Sequence, residues 1–262
     1  MKIILYSSVD EAGKNIAKFL NERKEELEKN NAKIFELNEK IIYIQEIPKE
    51  ILDYVKEKNE KIDVIIVASR HKSESEIPTL CVHSPGNFND AKFGGKEKTL
   101  SIAPALYIRK ALIEFFKEKE RKNLNYDVTL EVTHHGPTLN FPILFVEVGS
   151  SEKQWNDLNA CESAANVIEN LCKYNPELLK IAVGIGGNHY AEKFTKKIKE
   201  ENFAIGHIMP KYNFNEEMIK QMIEKTYPNP NIVLIDWKGL NGEQKKKTLK
   251  VIEEIGIKYE KI

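Results

Sequence analysis

The 262-residue chain has only three cysteines, and no two of them have C-x-x-C spacing. An odd, scattered set (Cys81, Cys161, Cys172) excludes a disulfide framework and a zinc ribbon, and each thiol is expected to pack as a small buried hydrophobe. No apolar run approaches the ~18 residues of a membrane-spanning helix. A secretory signal is missing too, because acidic Asp10 and Glu11 follow directly on the short apolar run at residues 3–6. Nor is there an excess of either charge. Forty basic side chains against 40 acidic ones exclude a protein that coats nucleic acid by bulk electrostatics, while local basic faces stay open. Low-complexity tracts are absent, and 41% of residues are hydrophobic, which excludes a disordered chain. What remains is an α/β protein expected in the cytoplasm, with no membrane partner.

The familiar catalytic signatures are also missing. There is no H-E-x-x-H, no G-x-S-x-G elbow and no P-loop Lys-Ser/Thr. Strands are predicted at residues 2–7, 34–37, 41–44, 63–68, 79–83, 128–133, 143–148, 181–185, 204–207 and 232–236, with 34–44 forming a hairpin that decorates the core. Helices are predicted at 11–30 (capped by Asp10), 51–57, 105–121, 154–174, 190–201, 216–225 and 243–255. Alternation of the two implies one α/β domain over residues 1–262, a mixed and mostly parallel sheet with helices on both faces.

The six histidines are what this sequence does have, and all fall at predicted strand ends or exits. His71 lies just past 63–68, His83 ends 79–83, His134 and His135 end 128–133, His189 follows 181–185, and His207 ends 204–207. Open α/β sheets bind ligands outside the carboxyl ends of their strands, so His83, His134 and His189 are expected in one pocket there. The Gly136-Pro137 turn can bring both His134 and His135 into it. Glu147, a carboxylate inside a hydrophobic run, is either a buried functional acid or part of a solvated strand face. Histidines with a carboxylate can hold zinc and lower the pKa of a bound water toward about 7, although no spacing here is diagnostic. Cys81 and His83 share a strand face, but a nucleophile inside an apolar run is the weaker reading.

Gly184-Ile185-Gly186-Gly187-Asn188-His189 falls between a strand and a helix. It is either an anion cradle of backbone N–H groups or a tight turn that uses glycine for its backbone freedom. Lys92, Lys96 and Lys98 surround Gly94-Gly95, and Lys193, Lys196, Lys197 and Lys199 follow the glycine-rich turn, so a polyanion could be held at zero net charge.

Taken together, Ser69-Arg70-His71, Val82-His83, Gly86-Asn87-Phe88, His134-His135-Gly136-Pro137-Thr138, Glu147-Val148-Gly149-Ser150, Trp155 and Gly186-Gly187-Asn188-His189-Tyr190 resemble the D-aminoacyl-tRNA deacylases of the archaeal and plant type. The likeness runs from the first strand to near the C-terminus. It implies hydrolysis of the ester that joins a D-amino acid to the terminal ribose of tRNA, as chiral quality control in translation. It also implies zinc, a monomer without an obligate protein partner, and a fold related to the phosphorylase/peptidyl-tRNA hydrolase type.

With that resemblance, His83, His134, His135, His189 and Glu147 are the catalytic candidates, and His71, His83, His134 and His189 the metal ligands. Arg70, Lys92 and Lys96 would position the terminal adenosine and its phosphates, and Gly186, Gly187 and Asn188 would supply oxyanion donors. Base and ligand are not separated among the histidines. Two other classes remain: a nucleoside phosphorylase-like or other metallohydrolase acting on a small molecule, and a non-catalytic tRNA-binding protein.

Overall fold

In a computed structural model, which describes residues 1–177 and 179–262, runs of β-branched residues form strands buried on both faces. The larger, six-stranded sheet holds β1 (Lys2–Ser7), β2 (Ala32–Leu37), β3 (Val64–Arg70), β4 (Thr79–His83), β5 (Asp127–Leu130) and β6 (Ile143–Gly149), in the order β2-β1-β3-β6-β4-β5. A four-stranded sheet holds β7 (Lys180–Ile185), β8 (Phe203–Met209), β9 (Ile232–Ile235) and β10 (Lys258–Lys261), in the order β8-β7-β9-β10. The small sheet is parallel throughout. In the large one β1, β2, β3 and β6 are parallel, while β4 runs antiparallel to β6 and β5 parallel to β4.

Period-two alternation sends Ile4, Ile66, Leu80, Val82, Leu144 and Val146 to one face of the large sheet. There they meet apolar stripes of α1 (Glu11–Asn21), α2 (Ala105–Lys122) and α3 (Leu158–Lys173). Ile3, Leu5, Ile65, Val67, Ile143 and Phe145 point to the other face and meet Ile51 and Val55 of the helix Lys49–Glu57. Mixed, mostly parallel sheets covered by helices are thus present, as the α/β reading requires, with most strands divided between these two sheets and the rest in two short two-stranded pairs. All three cysteines are free and buried.

Local differences from the sequence reading have identifiable causes. The helix expected at 11–30 breaks at Arg23 (φ −114°, ψ 21°), whose guanidinium donates to Asn166 and Glu169 on α3 at 2.6 and 2.8 Å. The hairpin expected at 34–44 does not form: β2 pairs in parallel with β1, and Ile41–Tyr43 is a 3-10 turn. The helix expected at 154–174 is split, because Asp157 caps α3 by accepting from the N–H groups of Asn159 and Ala160. Asp10 does cap α1, and its second carboxylate oxygen accepts from Ser69 Oγ (2.9 Å) and the Arg70 N–H (3.1 Å), tying the helix start to the end of β3.

His207 lies within β8 instead of at its end. Its Nδ1 is 3.0 Å from Thr133 Oγ1 and its Nε2 donates to the Ser101 carbonyl at 3.0 Å. Burial pushes its pKa down to about 4. The folded state therefore resists a proton that the unfolded chain accepts at about 6.5, so this group's contribution is complete above pH 6.5 and lost as pH falls through 4, roughly 3 kcal/mol in all. Denaturant unfolding of wild type and His207→Gln at about pH 7 and about pH 4.5 checks this. Acid should cost the variant less stability than the wild type; equal losses would contradict it.

Candidate functional site

Strand register assembles the site. Ser69 pairs with Glu147, Glu147 with Cys81, and Cys81 with Thr129, while His83 pairs with Phe145. Side chains two residues apart share a face, so Cys81 and His83 stand beside Phe145 and Glu147. Glu131 follows β5, its N–H bonded to the Val82 carbonyl. His71 follows β3, its N–H bonded to the Val148 carbonyl. Because β4 and β5 oppose β6, the cluster spreads over one sheet face where opposite strand directions meet. It does not lie beyond a common carboxyl edge, as a parallel sheet would have placed it.

Residues 130–133 stitch the two sheets together. Val132 N–H donates to the His189 carbonyl, Thr133 N–H to Ile208, and Ala191 N–H to Leu130. The stitching delivers His189 and Tyr190 from the exit of β7 to the cluster. His83, His134 and His189 come together as expected: ring centroids are 4.3 Å apart for His83–His134 and 4.7 Å for His134–His189. His135 is 4.8 Å from His83 and 4.4 Å from His134, so the Gly136 turn brings in both neighbours.

The hub is Glu131, which the sequence reading had not singled out. Its Oε1 lies 2.8 Å from His189 Nε2 and 3.1 Å from His71 Nδ1, and its Oε2 is 4.0 Å from His83 Nε2. Glu147 is buried, 3.8 Å from His71 Nδ1 and 3.7 Å from His83 Nε2, so it is not part of a solvated strand face. Tyr190 and Tyr212 are further additions: their hydroxyls lie 2.9 Å from His71 Nε2 and 3.2 Å from His189 Nδ1. His71 also depends on a glycine, since a Cβ at Gly149 would stand 2.6 Å from the His71 Cβ.

Electrostatics divide the histidines. Burial pulls His71 down, but Glu131 and Glu147 outweigh it and raise the pKa to about 10. His83 is likewise raised against burial by the same two carboxylates. Burial pushes Glu131 up, yet its contacts with His189 and His71 hold it well below the usual carboxylate range. His134 is held well below the ordinary histidine value by burial and by neighbouring His83 and His135, and His135 falls to about 3 for the same kind of reason. His134 Nδ1 donates to the Val132 carbonyl at 2.8 Å, and His135 Nδ1 to that of Gly136. Each neutral ring therefore keeps its Nε2 lone pair free to accept a hydrogen bond or bind a metal.

Both nitrogens of His83 are buried without a hydrogen-bond partner among the described residues, whereas Glu131 Oε1 meets the imidazoles of His189 and His71. Buried polar atoms left this way cost roughly 1–3 kcal/mol each, so the pattern fits a site built around an ion. Among the described residues, three groups have donor atoms within 4.8 Å of one another: His83, His134 and His135; His71, Cys81, Glu131 and Glu147; and Glu131, His134 and His189. His71, His83, His134 and His189 are thus distributed among groups instead of forming one ligand set.

A cleft of about 1280 Å³ opens over this cluster, lined by His71, His134, His135, Glu147 and His189, with Arg70 stacked 4.9 Å over Trp155 at its wall. Lys92 and Lys96, expected to hold substrate, are exposed and do not line it; Lys92 pairs with Asp90 at 3.0 Å. The glycine turn, read as either an anion cradle or a tight turn, does not line the cleft. Gly186 N–H is taken by the Met209 carbonyl, the Asp236 carboxylate lies 3.3 Å from a Cβ built at Gly187, and Asn188 is exposed. His207 is buried away from the cleft.

A family model described as D-aminoacyl-tRNA deacylase matches residues 58–260. The chain is 35% identical over 275 residues to the D-aminoacyl-tRNA deacylase of Thermococcus kodakarensis, covering 99% of each. It is 36% identical over 276 residues to that of Pyrococcus furiosus, again covering 99% of each. Among solved structures, it matches a conserved protein of unknown function, AF0625, with a TM-score of 0.85 and 28% identity, covering 99% of this chain and 94% of that one.

Proposed function

The chain belongs to the D-aminoacyl-tRNA deacylase family, and we propose that the histidine–glutamate cleft is where it hydrolyses the ester linking a D-amino acid to the terminal ribose of tRNA. Water adds to the ester carbonyl, the carbon–oxygen bond to the ribose breaks, and free D-amino acid and tRNA leave. The observation that carries this assignment is the pair of open Nε2 atoms on His134 and His135 beside the unpartnered His83. Both rings resist a proton, so an Nε2 lone pair at the cleft floor can accept a hydrogen bond from the attacking water and aim it at the ester carbon, or hold a metal.

Zinc fits the nitrogen, carboxylate and thiol donors grouped here. His83, His134 and His135 would hold one ion, and His71, Cys81, Glu131 and Glu147 form a second donor set. When bound, zinc would supply a more acidic water and polarise the carbonyl. Glu131 orients the imidazoles of His71 and His189, which Tyr190 and Tyr212 meet from the other side. Arg70, Lys40 and Lys72 line the same cleft and suit the phosphates of the tRNA end.

The cleft volume exceeds the roughly 300–1,000 Å³ of ordinary small-molecule pockets, which favours a nucleic-acid end over a small metabolite. We propose that the chain acts as a monomer in the cytoplasm, where charged tRNA is used; no described helix is long and apolar enough to cross a membrane. The test is hydrolysis of matched D- and L-tyrosyl-tRNA by the purified chain. Cleavage of the D ester only is expected; equal cleavage of both, or of neither, would contradict the assignment.

A further inference from the structure

We propose that Phe93 and Tyr43 form a stacking ledge, at the mouth of the cleft, for the unpaired bases at the 3′ end of the tRNA; this rests on the reading that charged tRNA occupies the cleft. Both rings line the cleft and both are open to water, Phe93 66% and Tyr43 45% exposed. Neither ring is free to swing on a loose loop, because the backbone beneath it is fastened. The Phe93 carbonyl accepts from the Gly136 N–H at 3.1 Å, beside the histidine pair. Buried Asn87 donates through its amide to the carbonyls of Gly94 (2.8 Å) and Lys96 (3.2 Å), and the Lys96 N–H donates to Thr138 Oγ1 at 2.9 Å. Gly94, at φ +81°, lies so close to residues 42–43 that a Cβ there would come within 1.9 Å of the Ile42 carbonyl oxygen. Tyr43 is held in turn by buried Ile41 and Ile44 on either side of its 3-10 turn.

A rigid frame that displays two aromatic rings to solvent gains nothing for the core, but it is what an occupant with flat faces needs. The occupant follows from the proposed substrate, whose flat groups are strung on phosphates. Lys40, Arg70 and Lys72 can meet those phosphates, although Asp10, Glu74, Glu76, Glu147 and Glu152 line the same cleft. Single-stranded nucleic acid is held on aromatic platforms of this kind, and stacking tolerates any base because each has a π face.

The test uses the full chain and a single-stranded oligonucleotide carrying the unpaired 3′-terminal sequence of tRNA, read by fluorescence anisotropy, beside the same oligonucleotide with abasic terminal positions. Stacking on alanine-scanned platforms predicts that removing the bases weakens wild-type binding by about tenfold or more. Phe93→Leu and Tyr43→Leu keep apolar volume without the ring; each should bind the intact oligonucleotide correspondingly weaker and respond less to base removal. In D-tyrosyl-tRNA hydrolysis their loss should fall on KM more than on kcat. Variants that bind and hydrolyse like wild type, or that lose as much as wild type on base removal, overturn the ledge while leaving the deacylase reading intact. Failure of the wild type itself to hydrolyse D-tyrosyl-tRNA overturns both.

Discussion

Glu131→Gln is expected to lower kcat/KM for D-tyrosyl-tRNA by about 10³-fold or more, although the change replaces a single oxygen. A charged carboxylate here touches His71 and His189 within 3.1 and 2.8 Å and faces His83. It is one of the two acids that raise the pKa of His71, and it belongs to two of the three donor groups. Glutamine removes the charge and points an N–H₂ at rings that themselves need an acceptor. Breaking a buried ion pair on one side costs about 3–5 kcal/mol, because the other partner is left uncompensated. The same variant should therefore also unfold at lower denaturant. Parallel measurements of kcat/KM and unfolding separate the two losses. A Gln variant that stays within tenfold of wild type would show that Glu131 does not organise the site.

Removal of metal is the second large effect. Thorough chelation should abolish turnover, and zinc should restore it. The argument starts from His83, whose two nitrogens have no hydrogen-bond partner among the described residues although the side chain is fully buried. A neutral imidazole buried that way wastes a donor and an acceptor, whereas a metal ligand needs its lone pair. His83→Ala should accordingly lower the zinc bound per chain, measured by elemental analysis, as well as the rate. Metal-free protein that keeps full D-specific activity would reduce the histidines to bases, donors and positioning groups.

Much of this site could be read from the chain because histidine is rare in it and its positions coincide with the ends of apolar runs. Val64–Arg70 and Ile143–Gly149 announce themselves as strands because β-branched residues fill both faces. Residues 258–261 did not, since Lys-Tyr-Glu-Lys lies at a sheet edge with little burial to leave a pattern. Division into two sheets and the reversal of β4 depend on pairings between distant strands, which local periodicity does not encode. Glu131 stood in an apolar run as Glu147 did, so the signal that marked one carboxylate was available for the other. Tyr212 reaches His189 from beyond β8, and nothing in its local sequence points there. Lys92 and Lys96 drew notice as charges, when the residue between them that lines the cleft is Phe93. The glycine turn shows the opposite failure. Its backbone freedom was visible, but Asp236, which brings a carboxylate beside it, lies far along the chain.

The most direct measurement is the single-turnover rate of hydrolysis of D- and L-tyrosyl-tRNA by wild type and His134→Ala, side by side, with tRNA binding measured on both proteins. The expected result is D-selective hydrolysis by the wild type and a rate about 10²-fold or more lower in the variant, which has lost the group that positions the water, with tRNA binding retained. Equal rates on the two enantiomers, or an unimpaired His134→Ala, would contradict the placement of D-aminoacyl-tRNA hydrolysis in this cleft.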